Sequence, residues 1–265
     1  MKLWASCRIL ASITFNIQTA LIPTVLALLK RPYLVLDLRA TSSIFMAHVW
    51  ASFANAADVG NRPTKSQLIT PNAHGVVLDI GAGHGHAVKY LDPERVTKYF
   101  ALEPNALMHS EIRQRAEAAG YCESAGTLLV LGCGAEDAAS IRAALGVHTQ
   151  VHTLISILAL CSIPEPEQTL RMLVGDVLAP GGQLLFYEHV LSPRADVAWW
   201  QRFWTPIWRV ALVGCCLDRP TDFWIENMGI WAQGAMWGWV GQEEESLFWH
   251  SVGRVVKAYP TGPSI

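Results

Sequence analysis

The sequence has little charge for its length and no surplus of positive charge. Of its 265 residues, 16% are charged, and the net charge is −2 with histidine neutral. A nucleic-acid-binding surface requires a concentration of basic residues, so we expect no nucleic-acid partner. The apolar content is 51%, which is enough for a large hydrophobic core and slightly rich for a soluble enzyme.

The sequence also lacks a C-x-x-C motif and a regular framework of cysteines. Its six cysteines are scattered and have mostly apolar neighbours: Cys7, Cys122, Cys133, Cys161, Cys215 and Cys216. This pattern indicates buried, reduced thiols in a reducing compartment. A redox-active role for the adjacent pair Cys215 and Cys216 is the less favoured alternative.

The N-terminal segment contains no acid before Asp37 and no charge between Ile9 and Leu29. As a helix, 21 residues span about 30 Å, enough to cross a bilayer. Several Ser, Thr, Asn and Gln residues dilute its hydrophobicity, so a membrane anchor, an interfacial helix, a cleaved signal and a packed helix all remain open. The absence of a small-x-small cleavage site counts against a signal peptide. We predict membrane association through residues 9–29, within a separate segment 1–39.

The most informative motif is V-V-L-D-I-G-A-G-H-G at residues 76–85. Its first five residues are apolar except for Asp79, which predicts a short buried strand. Glycines then allow a sharp turn and a close approach of the backbone to a ligand. A helix beginning near His86 would point its free N–H groups at that ligand.

This arrangement resembles the first motif of class I S-adenosylmethionine (SAM)-dependent methyltransferases. Its glycine spacing is G-x-G-x-G, whereas dinucleotide-binding proteins have G-x-G-x-x-G. The resemblance implies SAM as the cofactor. No metal is predicted, because the pair His84 and His86 has no third ligand nearby in the sequence. The residues assigned to the cofactor here are Asp79, Gly81, Ala82, Gly83 and Gly85.

Strand-like and helix-like segments alternate after this turn. Apolar runs predict strands at 99–102, 128–131, 151–158 and 183–190, with helices between them at 106–119, 137–145 and 167–178. The alternation predicts an α/β fold with a doubly wound, mostly parallel, Rossmann-like sheet. The resemblance extends this to seven strands, the last one antiparallel at 248–257, in one domain spanning residues 40–265 behind the N-terminal apolar helix.

Glu103 lies 18 residues after Gly85, at the end of the second predicted strand. Ligands bind at this edge of an open α/β sheet, and a carboxylate there can accept both hydroxyls of a ribose. A surface acid before Pro104 is the alternative. After the third strand, A-E-D at 135–137 is placed to read an adenine edge, although Asp137 equally suits a helix N-cap. The further cofactor assignments are Glu103, Pro104, Ala135, Glu136 and Leu158.

Motifs beyond the cofactor half narrow the resemblance. They are L-C-S-I-P at 160–164, L-A-P-G-G at 178–182, Y-E-H-V at 187–190, W-Q at 200–201 and G-C-C-L-D-R at 214–219. Together they resemble the membrane-associated thiol methyltransferase branch of the type-11 methyltransferases and its fungal relatives, over residues 76–226. The Trp- and Gly-rich stretch 229–242 has no clear counterpart there.

The branch implies transfer of a methyl group from SAM to a small, largely apolar thiol or hydroxyl compound, as in secondary metabolism. It also implies an enzyme bound to a membrane, such as that of the endoplasmic reticulum, with its catalytic domain in the cytoplasm. His189, after the fifth strand, is the predicted catalytic base or orienting group; a structural histidine at a strand end is an equal alternative.

Helices are predicted at 40–57 and at 196–213, and the second carries an aromatic stripe. We expect the first helix and this stripe to form the acceptor pocket together. Trp200, Trp204 and Trp208 would form either a lid or membrane-facing surface, or a face packed on the sheet. Two other functions remain open. The first is a nicotinamide-dependent oxidoreductase, which the absence of a Y-x-x-x-K pair disfavours. The second is a non-catalytic membrane scaffold with a SAM-type fold.

Overall fold

A seven-stranded sheet forms the centre of the protein. The computed structural model describes residues 3–146, 149–212 and 214–260, and only the backbone of residues 3–6, 39 and 52–56; Val213 and the side chain of Phe53 therefore lie outside it. The strands are β1 Gly75–Ile80, β2 Val96–Leu102, β3 Leu128–Leu131, β4 Val151–Ile157, β5 Leu178–Val190, β6 Trp231–Gly238 and β7 Trp249–Lys257.

The strand order is β3-β2-β1-β4-β5-β7-β6. The first five strands run parallel to one another, and β7 is antiparallel to both β5 and β6. The helices are α1 Leu3–Lys30, α2 Leu38–Gly60, α3 Arg62–Ile69, α4 His109–Ala118, α5 Ala138–Leu145, α6 Pro166–Met172, α7 Ala195–Ala211 and α8 Thr221–Glu226. This arrangement confirms the predicted doubly wound, Rossmann-like fold with an N-terminal apolar helix.

Successive residues of each central strand enter different cores on the two faces of the sheet. Leu78 of β1 joins a cluster with Ile141 of α5 and Leu170 of α6. Its neighbour Val77 joins a second cluster with Leu68 of α3. Because helices cover both faces, these strands are apolar at nearly every position instead of alternating, and this explains why the runs stand out in the sequence.

Several elements differ from the sequence prediction. The helix expected to continue to residue 178 leaves α-helical geometry after Met172 and passes through a π-helical turn. The next strand, β5, begins at Leu178, ahead of the Pro-Gly-Gly that was expected to precede it. The stretch 229–242, which carried no clear signal, contains β6. This strand lies at the sheet edge and is largely exposed, so it lacks the apolar pattern of the central strands.

The N-terminal helix α1 is long and apolar enough to cross a membrane by length and composition. It packs on α2 and, near its start, on α7, where Ile9 joins a cluster with Trp204, Trp208 and Leu217. Thus Trp204 and Trp208 are packed inside the protein, and Trp200 is partly buried against them. Their neighbours from outside α7 in this cluster lie on α1 and in loops, and not on the sheet that the packing alternative named. The opposite face of α7 is exposed and also apolar: Trp199, Phe203, Ile207 and Val210.

Candidate active site

The glycine turn leaves the carboxyl end of β1 with a left-handed backbone. Gly81 has φ +63°, and a Cβ there would lie 2.8 Å from the Cβ of Ala159 after β4. Gly83 has φ +57°, and its hypothetical Cβ faces the indole of Trp50 across a cavity. The helix predicted from His86 is only a short 3-10 turn that ends at Tyr90. The bare backbone of the turn, and not a long helix, is therefore what faces the cavity.

The cavity brings together five of the ten residues assigned to the cofactor. These are Asp79, Gly81, Ala82, Gly83 and Leu158. The remaining wall includes Trp50 of α2, Lys65 of α3 and the two histidines of the turn, His84 and His86. Because the ends of β1 and β4 meet here beneath α2 and α3, the site combines a polar floor with apolar and cationic walls.

Glu103 is buried beside the turn, and both of its carboxylate oxygens are hydrogen-bonded. Gly83 N donates to Oε2 at 2.9 Å, and Asn105 N donates to Oε1 at 2.8 Å. Burial raises the pKa of this carboxyl group, and the two backbone N–H groups oppose that shift. Each oxygen keeps one free lone pair, so the group can accept two more hydrogen bonds from a ligand.

Asp79 is the acidic group on the cavity floor. Its Oδ2 accepts a hydrogen bond of 2.7 Å from the hydroxyl of Tyr99. Complete burial raises the pKa of Asp79 to about 7, and Tyr99 and Lys65 act in the opposite direction. The carboxyl group is therefore poised between its two protonation states near neutral pH, and a cationic ligand would favour the ionised one.

Lys65 is a buried cation that the sequence interpretation missed. Its ammonium lies 3.2 Å from Oδ1 of Asp58, and the hydroxyl of Tyr90 donates to the same oxygen. The other oxygen of Asp58, Oδ2, pairs with Lys89. Burial lowers the pKa of Lys65 and Asp58 opposes this shift. A signal existed, because Lys65 shares one face of α3 with the buried Leu68 and Ile69, where a charge requires a partner or a role.

The other cofactor assignments do not line this cavity. Gly85 forms the back of the turn against α4, where an added Cβ would lie 3.1 Å from the Cα of Ile112. Pro104 follows Glu103 at the end of β2, while Ala135 is buried and Glu136 exposed beyond β3. Asp137 caps α5 by accepting from Ser140 N at 3.0 Å, as the N-cap alternative predicted.

Glu188 organises the loop after β4, and the sequence interpretation gave it no role. It is fully buried and accepts hydrogen bonds from Ser156 Oγ (2.6 Å), Ala159 N (3.1 Å) and Leu160 N (3.2 Å). Burial raises its pKa to about 7. These bonds fix the loop in which Leu158 adopts a φ of +56°, at the cavity wall.

His189, the predicted catalytic residue, is buried and does not belong to the cavity wall. Its Nε2 lies 3.2 Å from the carbonyl oxygen of Leu247. The thiols of Cys161 and Cys215 are also close to it, and a ligand atom of each of the three residues lies within 4.8 Å of the others. The structure thus places His189 beside the loop after β4, which lies between His189 and the cavity.

Comparison with known proteins agrees with this geometry. A family model described as a methyltransferase domain matches residues 54–223, well over half of the chain. The chain belongs to the methyltransferase domain family. The match includes the glycine turn, Glu103, the loop after β4 and His189.

Two curated proteins of Homo sapiens are similar over shorter segments. The thiol S-methyltransferase TMT1B is 41% identical over 75 residues, which cover 28% of this chain and 30% of that protein. The thiol S-methyltransferase TMT1A is 37% identical over 75 residues, which cover 27% of this chain and 29% of that protein. The similarity thus spans less than a third of the length of these relatives.

Among solved structures, the YcgJ protein of Bacillus subtilis superposes with a TM-score of 0.52 and 13% identity. The superposition covers 74% of this chain and 97% of that protein. It supports the fold alone.

Proposed function

We propose that this protein transfers the methyl group of SAM to the thiol of a small, largely apolar molecule. The family assignment supports methyl transfer, and the partial similarity to two thiol S-methyltransferases supports a thiol acceptor. The observation that carries the proposal is the pairing of Glu103 with the Gly83 backbone at the edge of a cavity that contains Asp79.

SAM fits the polar groups of this site. The two free lone pairs of Glu103 would accept the ribose hydroxyls, and the backbone at Ala135 and Glu136 would face the adenine. The methionine end would enter the cavity, where its ammonium would pair with Asp79 and its carboxylate with Lys65. In this arrangement the ammonium and the carboxylate of the methionine end each meet a buried group of opposite sign, which supports binding in a site of low dielectric constant.

A thiol acceptor suits this site better than a hydroxyl. A thiol has a pKa of about 8.5 and supplies some thiolate near neutral pH, whereas an alcohol requires a strong base. Burial lowers the pKa of His86, on the cavity wall, to about 4, so it is a weak base. The chemistry then reduces to holding the sulfur in line with the methyl carbon.

The test incubates the purified full chain in detergent with methyl-labelled SAM and a panel of alkyl thiols, phenols, carboxylic acids and RNA. We expect labelled thioethers from apolar thiols and unlabelled RNA. Titrations with SAM and NADPH run in parallel, and we expect heat of binding only with SAM. Transfer to RNA or protein alone, or binding of NADPH alone, would overturn the proposed function.

We also propose that the protein lies on a membrane, with its catalytic domain (residues 40–265) on the cytoplasmic side, as at the endoplasmic reticulum. The support is the exposed apolar surface of α1, including Leu21, Leu26 and Leu29, together with the exposed aromatic face of α7. All six cysteines are free thiols, which agrees with a reducing compartment.

Fractionation of expressing cells tests the membrane proposal. The informative variant is Leu21→Glu/Leu26→Glu, which changes only the exposed side of α1, and the control is Gln18→Glu on the same helix. We expect the double variant to move to the soluble fraction and the control to stay with membranes. An unmodified chain that is soluble without detergent would contradict the proposal.

A further inference from the structure

Three side chains that are far apart in the sequence form a compact cluster of soft ligands. Cys161 lies after β4, His189 lies near the end of β5, and Cys215 follows α7. Their ligand atoms are all within 4.8 Å of one another, and the two sulfurs are 3.4 Å apart. We propose that these three residues form a zinc site whose fourth position takes the thiol of the acceptor; this inference rests on the proposed function.

The ligand set and its spacing fit zinc. Two thiolates and one imidazole are ligands that Zn²⁺ prefers, and three protein ligands with a fourth position open are typical of catalytic zinc sites. Zinc–sulfur bonds of about 2.3 Å in a tetrahedron separate two sulfurs by roughly 3.8 Å, close to the distance between Cys161 and Cys215. Two thiolates, a neutral imidazole and Zn²⁺ also sum to zero charge, which suits burial.

The histidine is already held as a metal ligand would be. The carbonyl oxygen of Leu247 can only accept, so Nε2 of His189 carries the proton at their 3.2 Å contact. Nδ1 then has the free lone pair that a metal requires. Metal-bound histidines almost always donate their other ring N–H to such an acceptor, and Gln201 holds the same carbonyl with a second bond of 2.9 Å.

The two cysteine loops bring their sulfurs together in the absence of an ion. The Cys215 thiol lies 3.4 Å from Sγ of Cys161. A backbone hydrogen bond joins the loop after β4 to the loop after α7: Cys216 N donates to the Cys161 carbonyl at 2.9 Å. The sulfurs are therefore held as a pair before any ion binds.

The cluster adjoins the proposed cofactor cavity. The Cys161 thiol contacts the carbonyl oxygen of Leu158 at 3.6 Å, and Leu158 lines the cavity. Glu188 fixes the intervening residues by accepting from the N–H groups of Ala159 and Leu160. The loop that carries Cys161 therefore also forms part of the cavity wall.

The site gives the acceptor a defined role in the reaction. On binding zinc the thiol releases its proton to solvent, because a coordinated thiol is deprotonated. A sulfur lone pair then forms the new bond to the methyl carbon while the carbon–sulfonium bond breaks, and its electron pair stays on the sulfur of S-adenosylhomocysteine. The neutral thioether is a weaker ligand than a thiolate and leaves the ion. In this scheme His189 serves the acceptor as a zinc ligand instead of as a base.

Zinc content of the unmodified full chain, purified in detergent under reducing conditions, is the first measurement. We expect about one zinc per chain, and loss of most of it in Cys161→Ser, His189→Ala and Cys215→Ser. Cys216→Ser is the matched control, because its thiol contacts the Gly214 carbonyl outside the cluster, and it should keep its zinc. Unmodified protein without zinc, or with a Cys161–Cys215 disulfide by mass spectrometry, would overturn the inference.

Cobalt substitution tests the fourth position. Co²⁺ in the site should show a thiolate charge-transfer band that changes when an apolar thiol is added and stays unchanged with the matching alcohol. An unchanged spectrum with both compounds would contradict the inference. Thiol methylation by zinc-free protein would overturn it while leaving the proposed function standing, whereas SAM-bound, zinc-loaded protein that methylates no thiol would overturn the proposed function itself.

Discussion

Glu103 offers the most direct test of the cofactor site. Its carboxylate holds the glycine turn through Gly83 N and the following loop through Asn105 N, and its remaining lone pairs would accept the ribose hydroxyls. Hydrogen bonds to a charged group contribute about 1.5–3 kcal/mol each. Loss of even one such bond in Glu103→Ala corresponds to SAM binding that is roughly 10- to 150-fold weaker.

Isothermal titration with SAM measures this loss, with thermal unfolding of the same samples as the check on folding. Glu103→Gln keeps one carbonyl acceptor but loses the charge, so we expect an intermediate affinity. Glu117→Ala, which removes an exposed acid from α4, is the matched control and should bind SAM as the unmodified chain does. Unchanged affinity in a folded Glu103→Ala protein would remove Glu103 from the site.

Three further predictions concern the same region. Gly81→Ala should lower the free energy of unfolding by about 1–3 kcal/mol, since the new Cβ meets Ala159 at a φ of +63°, whereas Gly175→Ala, where the space is open, should change the urea midpoint little. SAM affinity should fall as the pH drops from 8 to 6, because Asp79 takes up a proton near pH 7 and then cannot pair with the ammonium; Asp79→Asn should bind weakly at every pH. Glu188 ionises near 4.5 when unfolded and near 7 when folded, so the native state binds more protons between these values. Its contribution to stability is then lost as the pH rises through this range. The difference between the urea midpoints at pH 5.5 and pH 8 should therefore be smaller in Glu188→Gln than in the unmodified chain. An equal difference in both proteins would show that the buried carboxyl group does not take up this proton.

The sequence predicted the sheet well because the sheet is covered on both sides. Runs such as Leu128–Leu131 are apolar at every position for that reason, and this strand was predicted with its observed bounds. The edge strand Trp231–Gly238 was missed because it is largely exposed. A strand that does not face a core lacks the pattern of apolar residues that predicts a strand. The order of the strands was not predicted, since local patterns carry no information on which strands are neighbours.

The candidate site was predictable where backbone geometry dictates the residue type. Gly81 and Gly83 stand out because few other residues adopt their backbone conformation, and Glu103 stands out by its place after a strand. Lys65 and the cluster around Cys161 gave no comparable signal, because their roles depend on contacts between segments that only the fold brings together. His189, Cys161 and Cys215 were each noticed in the sequence, but their proximity was not.

The sheet topology determines when, during synthesis, α1 gains a folded domain to pack on. The central strand β1 pairs with β4, which ends at Ile157, and the sheet is completed only by β7 near the end of the chain. Domains fold as units while chains grow from the N-terminus, so α1 leaves the ribosome long before β1 can pair with β4. Its partner α7, at residues 195–211, is also made late. During this interval the apolar helix has α2 beside it but no folded domain to pack on, and the membrane association proposed above would supply a further apolar surface. Engagement with a membrane would therefore precede the formation of the cofactor site.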